Sequence, residues 1–209
     1  MINTFQELHN RFDAITNSVH KVTRSSNGAV GELFEELMQG EIVGNDRGAD
    51  FANINTEAKV HHGSGVTTAF TFAPTKGMRP RHFKDQFGGS CVRTTKRNGK
   101  GHQLNIRGNK VSVKVGNSSM MSWTIAELEA RITEKMPNLA IVKATKVKAT
   151  KKGKATVTFD RMVVCRNVIA SRFIDSIRNG DVVVEIRGSR GTIFRAYPSV
   201  IEGWFEVLH

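Results

Sequence analysis

The chain has 209 residues, 39% hydrophobic and 24% charged, a balance that excludes a disordered polymer and allows a sizeable buried core. No apolar run approaches the roughly 18 residues that a membrane span requires. The first residues, MINTFQELHNRFDAI, carry acids and lack the apolar stretch of a secretory leader.

Two cysteines, Cys91 and Cys165, stand far apart. They exclude a disulfide-rich scaffold and a four-cysteine zinc site, and they fit a reducing cytoplasm with idle thiols. Charge is more informative. Lys and Arg number 31 against 19 Asp and Glu, a formal net charge of +12. The excess is localised. Residues 1–60 hold 5 basic and 9 acidic side chains, residues 76–114 hold 11 basic and one acid, Asp85, and residues 140–172 hold 9 basic and one acid, Asp160. An acidic part beside two basic parts suits a protein that holds cations in one place and phosphates in others. The alternative is a chain kept soluble by lysine.

In chain order, Ile2, Phe5, Leu8, Phe12, Ile15 and Val19 predict an amphipathic helix over 2–20. A turn follows at 23–28, then a helix at 29–39 ended by Gly40 and Gly44. Short strands are expected at 50–54, 56–61 and 67–73, the last two as a hairpin turning at Gly63 and Gly65. Residues 76–102 are basic and glycine-rich and read as an irregular loop that a partner orders. Strands at 103–107 and 110–115 meet at Gly108-Asn109. A helix at 124–136 carries a capping box, Thr124 with Glu127, and stops at Pro137. Strands at 139–149 and 154–164 flank a lysine turn. A helix at 168–178 ends at Asn179-Gly180, strands follow at 181–187 and 192–196, and a helical turn at 199–207 closes the chain. This order predicts a mixed α/β or α+β fold.

The segment GADFANINTEAKV, residues 48–60, carries the chemistry. On a strand, Glu57 and Lys59 share a face because side chains repeat every two residues. With Asp50 on a neighbouring segment they form a two-carboxylate cup with an ammonium at its rim. Hard oxygen ligands of this kind suit Mg²⁺, which takes one or two carboxylates plus substrate oxygens. Such an ion activates water and neutralises phosphoryl charge, and the lysine can hold the water or stabilise the transition state. The same spacing also describes a surface strand with an ion pair. The preceding helix offers Glu32, Glu35 and Glu36 as a third carboxylate.

The run GAVGELFEELMQGEIVGNDRGADFANINTEAKV resembles the nuclease core of the MvaI/BcnI restriction endonucleases and the mismatch-repair nicking enzyme MutH, within the wider PD-(D/E)XK nucleases. Gly31 and Glu35 match the helix motif, Asp50 the first metal ligand, and Glu57 and Lys59 the E-x-K pair. Ala49 stands where the family usually has proline. TTAFTFAP resembles the following strand, and Trp123, Leu128, Phe173, Gly180 and RGTIFRAY at 190–197 extend the likeness over most of the chain. The 76–102 segment has no counterpart.

The resemblance implies a restriction-endonuclease-like core, a mixed sheet flanked by helices, with two lobes about a DNA cleft as one arrangement. Residues 1–209 are then a single nuclease domain with approximate sublobes 1–75, catalytic, and 76–209, basic and DNA-recognising. Expected catalytic residues are Asp50, Glu57, Lys59 and Glu35, with Asp50 and Glu57 as ligands of Mg²⁺, for which Mn²⁺ can substitute. His61 and His62 face opposite sides of a strand and cannot share a metal. His61, two residues after Lys59, is a candidate auxiliary at the scissile phosphate, or simply a hydrogen-bonded histidine. Ser64, Ser189 and Cys91 lack a placed base, and Gly63-Ser64-Gly65 lacks the Lys-Ser/Thr of a phosphate loop. Trp123, Trp204, Phe205 and Phe159 read as core.

Lys146, Lys148, Lys151, Lys152 and Lys154 are expected phosphate contacts around a lysine hairpin, joined by Lys76, Arg79 and Arg81 of the basic segment. Arg187, Arg190, Thr192 and Arg195 occupy the region that the resemblance assigns to base recognition, where arginine reads guanine. Arg195 has an internal ion pair as its alternative role. The expected activity is Mg²⁺-dependent, site-specific cleavage of double-stranded DNA by a cytoplasmic monomer of a bacterium or phage-infected cell, nicking one strand at a time. A strand-specific nickase like MutH, or a basic DNA-binding module without catalysis, are the alternatives.

Overall fold

A computed structural model of the chain describes residues 1–24, 28–40, 49–147, 155–188 and 191–207. Helix α1 (Phe5–Ile15) begins at Thr4, whose hydroxyl accepts the Glu7 N–H. It is shorter than the amphipathic pattern at both ends. After it, Asn17 takes φ +58 and turns the chain toward the short strand β1 (His20–Lys21). Helix α2 (Ala29–Gln39) has the expected bounds, with Ala29, Val30, Phe34 and Met38 buried along one face.

The expected strand at 50–54 is a tight turn instead. A 3₁₀ turn at Ala52–Ile54 and Asn55, held at φ +47, fold the chain back so that Phe51 pairs with Thr56 at the start of β2 (Thr56–His62). Strand β3 (Thr67–Thr71) follows. The 76–102 segment is ordered by its own chain rather than by a partner. It contains β4 (Lys76–Gly77), α3 (Pro80–Phe87) and β5 (Ser90–Val92). Pro80 sits in the first turn of α3, where its missing N–H costs nothing, and Phe83 is fully buried and anchors the helix to the unit.

Strands β6 (His102–Arg107), β7 (Lys110–Val115) and β8 (Ser118–Thr124) make an antiparallel meander, of which β8 is an addition to the expected elements. Helix α4 (Ile125–Lys135) carries the capping box: Glu127 N–H donates to Thr124 Oγ1 at 3.2 Å and Thr124 N–H to Glu127 Oε2 at 2.7 Å. Then come β9 (Asn138–Val147), β10 (Thr156–Arg166), α5 (Ala170–Asn179), β11 (Val183–Arg187) and β12 (Gly191–Ala196). The expected last helical turn is α6 (Pro198–Glu202) followed by strand β13 (Glu206–Val207).

The mixed α+β class is as expected, but the hairpin of β2 with β3 does not form. β2 pairs parallel with β9, and β3 pairs antiparallel with β12 in another sheet. The chain divides into two compact units. One comprises Met1–Gly65, Lys135–Asn167 and Glu206–His209; the other comprises Val66–Glu134 and Val168–Phe205. Strands β9 and β10, placed by the sequence in the second sublobe, belong with the first unit because β9 is the hydrogen-bonding partner of β2.

The first unit has a sheet of order β1-β10-β9-β2, with β13 also on β10. Its core gathers α1, α2 and the sheet around Phe34, whose ring lies 5.3 Å from Phe159 and 6.4 Å from both Phe12 and Phe51. The second unit has two antiparallel sheets, β3-β12-β11-β5 and β4-β8-β7-β6. Its aromatic core stacks Phe70 on Phe194 at 4.9 Å, with Phe173 and Trp123 edge-on around them and Trp204 edge-on against Phe173. Both indoles are buried with their N–H satisfied, Trp123 by the Ala73 carbonyl and Trp204 by Ser176 Oγ, which removes the cost of burying a polar atom. Among the described residues no helix is long and apolar enough to cross a membrane.

Candidate active site

The turn at 51–56 explains the spacing between Asp50 and Glu57. Phe51 N–H donates to the Thr56 carbonyl at 2.9 Å, and Thr56 N–H returns a bond to Phe51. Opposed pairs across such a bridge put the residue before Phe51 beside the residues after Thr56. Asp50 therefore lies against β2, where its Oδ2 accepts the Ala58 N–H at 2.7 Å. The Gln39 side chain, at the end of α2, donates to the Asp50 carbonyl. This residue went unnoticed in the sequence, where a lone glutamine in a helix carries no signal.

On β2 the pleat turns Thr56 and Ala58 inward, buried, and leaves Glu57, Lys59 and His61 half-buried on the other face. Lys59 Nζ donates to Glu57 Oε1. Glu35 sits on α2 next to Phe34, so the burial of that helix face leaves its carboxyl half-buried as well. Burial, followed by the charges of Asp50, Glu57 and Glu32 and opposed by Lys59, pushes Glu35 up to about 7. Burial and the Glu57 charge push Asp50 up to about 6 against the Ala58 N–H and Lys59. The four expected catalytic residues thus form one electrostatic group in the first unit, short of positive charge.

Among the described residues no three His, Cys, Asp or Glu side chains gather as a ready-made metal cage. Mg²⁺ does not need one, because it keeps several waters and binds through one or two carboxylates. Two oxygen donors that repel one another, with a third acid close behind, fit that ion better than a softer metal that prefers nitrogen or sulfur.

The expected DNA contacts divide between the units. Lys146 is exposed on β9 in the first. Lys76, Arg79 and Arg81 are exposed on and beside β4 and α3 in the second. Lys148, Lys151, Lys152, Lys154 and Arg190 lie outside the described residues.

Thr192 is a correction. It is fully buried on β12, because the strand turns it toward the core, and so its hydroxyl is withheld from a DNA surface. Arg187 and Arg195 both engage Glu185 on β11. Arg187 Nε donates to Oε1 at 2.6 Å and Arg195 Nη1 to Oε2 at 3.0 Å. Arg195 also donates to the Val66 carbonyl at 3.1 Å. Arg195 is therefore in the internal ion pair that the sequence left as its alternative role, while Arg187 keeps an exposed side chain. Glu185 escaped notice because its partners are one position along its own strand face and across on β12. Cys165 is buried, and Cys91 is exposed on β5.

The fold has solved relatives. Restriction endonuclease MvaI in complex with cognate DNA superposes with a TM-score of 0.74 at 20% identity, covering 97% of this chain and 95% of that one. MvaI in the absence of DNA gives 0.54 at 15% identity, covering 98% and 99%. No curated protein matches the chain. Residues 9–200 match the MvaI/BcnI restriction endonucleases, and in keeping with its mixed fold and its Asp50, Glu57 and Lys59 arrangement, the chain belongs to the MvaI/BcnI restriction endonuclease family.

Proposed function

We propose that the chain is a Mg²⁺-dependent, site-specific endonuclease that hydrolyses phosphodiesters of double-stranded DNA, with water as nucleophile and the 3′-oxygen as leaving group. The observation that carries this reading is the Lys59–Glu57 pair on β2 with Asp50 tied to the same strand through the Ala58 N–H, Asp50 and Glu35 being raised to about 6 and 7 by burial and by the neighbouring acids. Carboxylates held together at such a cost are arranged for a cation. Asp50 and Glu57 would hold the ion, with Glu35 assisting from α2, and Mn²⁺ could replace Mg²⁺. The bound ion would acidify a water and neutralise phosphoryl charge.

The chain's own residues do the rest. The Ala58 N–H and the Gln39 side chain fix Asp50 on both sides of its Cα. Lys59 holds the attacking water or stabilises charge developing on the phosphoryl oxygens. His61, on the same face of β2, is an auxiliary at the scissile phosphate.

The MvaI neighbour was solved on its cognate DNA, and a net charge of +12 suits the same kind of partner. Both units work as one nuclease domain, and the one such cluster among the described residues favours a monomer that nicks strands in turn. The proposed setting is the cytoplasm of a bacterium or phage-infected cell.

Supercoiled plasmid with one recognition site tests the reading. Nicked circles should precede linear DNA when Mg²⁺ is present, EDTA should stop the reaction, and Asp50→Asn and Lys59→Ala should each abolish cutting while retaining binding. Nicked circles that never become linear identify a strand-specific nickase. Cutting at the wild-type rate by either variant overturns the site.

A further inference from the structure

The strongly basic segment between β5 and β6, residues 93–101, reads RTTKRNGKG. It has no place in the catalytic cluster, nor among the expected DNA contacts at Lys76, Arg79, Arg81, Lys146 and Arg187. The structure ties it down along its length. Every polar group of Asn98 is used. Its side-chain nitrogen donates to Ser90 Oγ at 2.7 Å and to the Cys91 carbonyl at 3.0 Å. Its side-chain oxygen accepts the N–H groups of Lys100 and His102, both at 3.0 Å. Its backbone N–H donates to the His102 carbonyl, and its carbonyl accepts the Gly101 N–H. Ser90 Oγ pairs in turn with His102 Nδ1 at 2.9 Å, and the buried His102 ring packs edge-on against Phe83 and Phe87.

The other arm is anchored too. Thr94 Oγ1 donates to the Ile177 carbonyl at 2.6 Å, at the end of α5, and Gln103 donates to the Thr94 carbonyl at 2.7 Å. Thr95 lies against Gly180, the left-handed residue that caps α5 at φ +80, so closely that a side chain there would collide with it. Lys100 is spent on the Gly89 carbonyl.

Against this economy, two cations are left over. Lys96 and Arg97 are exposed, and neither makes a hydrogen bond or ion pair among the described residues. Fixing a loop costs roughly 1–2 kcal/mol per residue in backbone entropy, so anchors on both sides of two adjacent, unpartnered cations pre-pay the ordering that binding would otherwise exact. Preorganised cations match a polyanion with fixed charge spacing better than a small acid or a mobile peptide.

We propose that residues 93–101 form a preformed finger that grips the DNA backbone, Lys96 and Arg97 contacting phosphates and Asn98 acting as the residue that positions them. This rests on the DNA-cleaving reading above and adds residues to it. Phosphate contacts carry no sequence information directly, so the finger contributes to affinity on any duplex.

The test uses the full chain with a duplex in Ca²⁺, so that binding is read without cutting, together with steady-state cleavage in Mg²⁺. Lys96→Gln/Arg97→Gln removes no internal contact and should leave the melting curve unchanged. It should weaken binding on the order of tenfold near 0.1 M salt and lower the slope of log affinity against log salt by about 2. KM should rise by a similar factor while kcat holds. Asn98→Ala keeps both charges but frees the finger, so it should raise KM with a nearly unchanged salt slope, a split that mere destabilisation does not produce. An unchanged affinity and slope in the double variant, beside a wild type that binds and cuts, overturns the finger alone. A wild type that fails to bind duplex DNA overturns the finger and the nuclease reading together.

Discussion

Asp50→Asn should make the metal-free protein more stable at pH 8 and change little at pH 4. The Asp50 carboxyl is ordinary in the unfolded chain, near 3.8, and about 6 in the fold, because burial and then the Glu57 charge disfavour its ionised form. Below about 3.8 both states hold the proton and the site is neutral for folding. Between the two values the unfolded chain releases its proton first, so folding weakens as pH rises. Above 6 the penalty is complete and constant.

The move from 3.8 to about 6 corresponds to about 3 kcal/mol at ~1.4 kcal/mol per pH unit. Screening of a half-buried carboxylate and adjustment by Glu35 and Lys59 reduce the expected gain to about 1–2 kcal/mol. Asparagine keeps an acceptor for the Ala58 N–H, so the substitution removes charge and little else. For a chain of this size the gain is about 2–8 °C in melting temperature. Thermal melts of wild type and variant in EDTA at pH 8 and pH 4 measure it. No gain at pH 8, or an equal gain at both pH values, would refute the argument that these acids are held together at a cost. The same variant should be unable to cut DNA, so stability and activity should move in opposite directions, as strained functional sites do.

Three further outcomes follow from particular contacts. Arg195→Ala removes the charged hydrogen bond to Glu185 and the bond to the Val66 carbonyl. It should cost about 1–3 kcal/mol in urea unfolding and leave the preference between cognate and unrelated DNA unchanged; an unaltered midpoint with lost preference would instead make it a base reader. Thr124→Ala breaks one half of the capping box of α4 and should cost about 1 kcal/mol, read as a lower urea midpoint with the same slope. Phe34→Ala empties the centre of the first unit's core, and a loss of about 3–5 kcal/mol in the same measurement is expected.

Local patterns carried much of this protein into view. The apolar face of α2, the Thr124–Glu127 box and the alternation that puts Glu57 and Lys59 on one face depend only on neighbours within a few positions, and all three stand in the structure. The family motif likewise lay in one short stretch. The errors came where a residue's partner is remote. The expected 56–61/67–73 hairpin had sound turn glycines, but β2 instead pairs in parallel with β9, a remote choice no local pattern records. α3 was hidden in a basic, glycine-rich segment because a single fully buried side chain, Phe83, decides it. Thr192 and Arg195 looked like readers of DNA from a motif on one strand. Which of them faces the core, and that Glu185 waits across the sheet for Arg195, is settled by strand pairing. Sequence determines which chemistry is available along each element. Only the tertiary structure, through long-range pairing and the desolvation it imposes, decides which of those groups meet, which are spent on one another, and which, like Lys96 and Arg97, stay exposed and unpaired among the described residues.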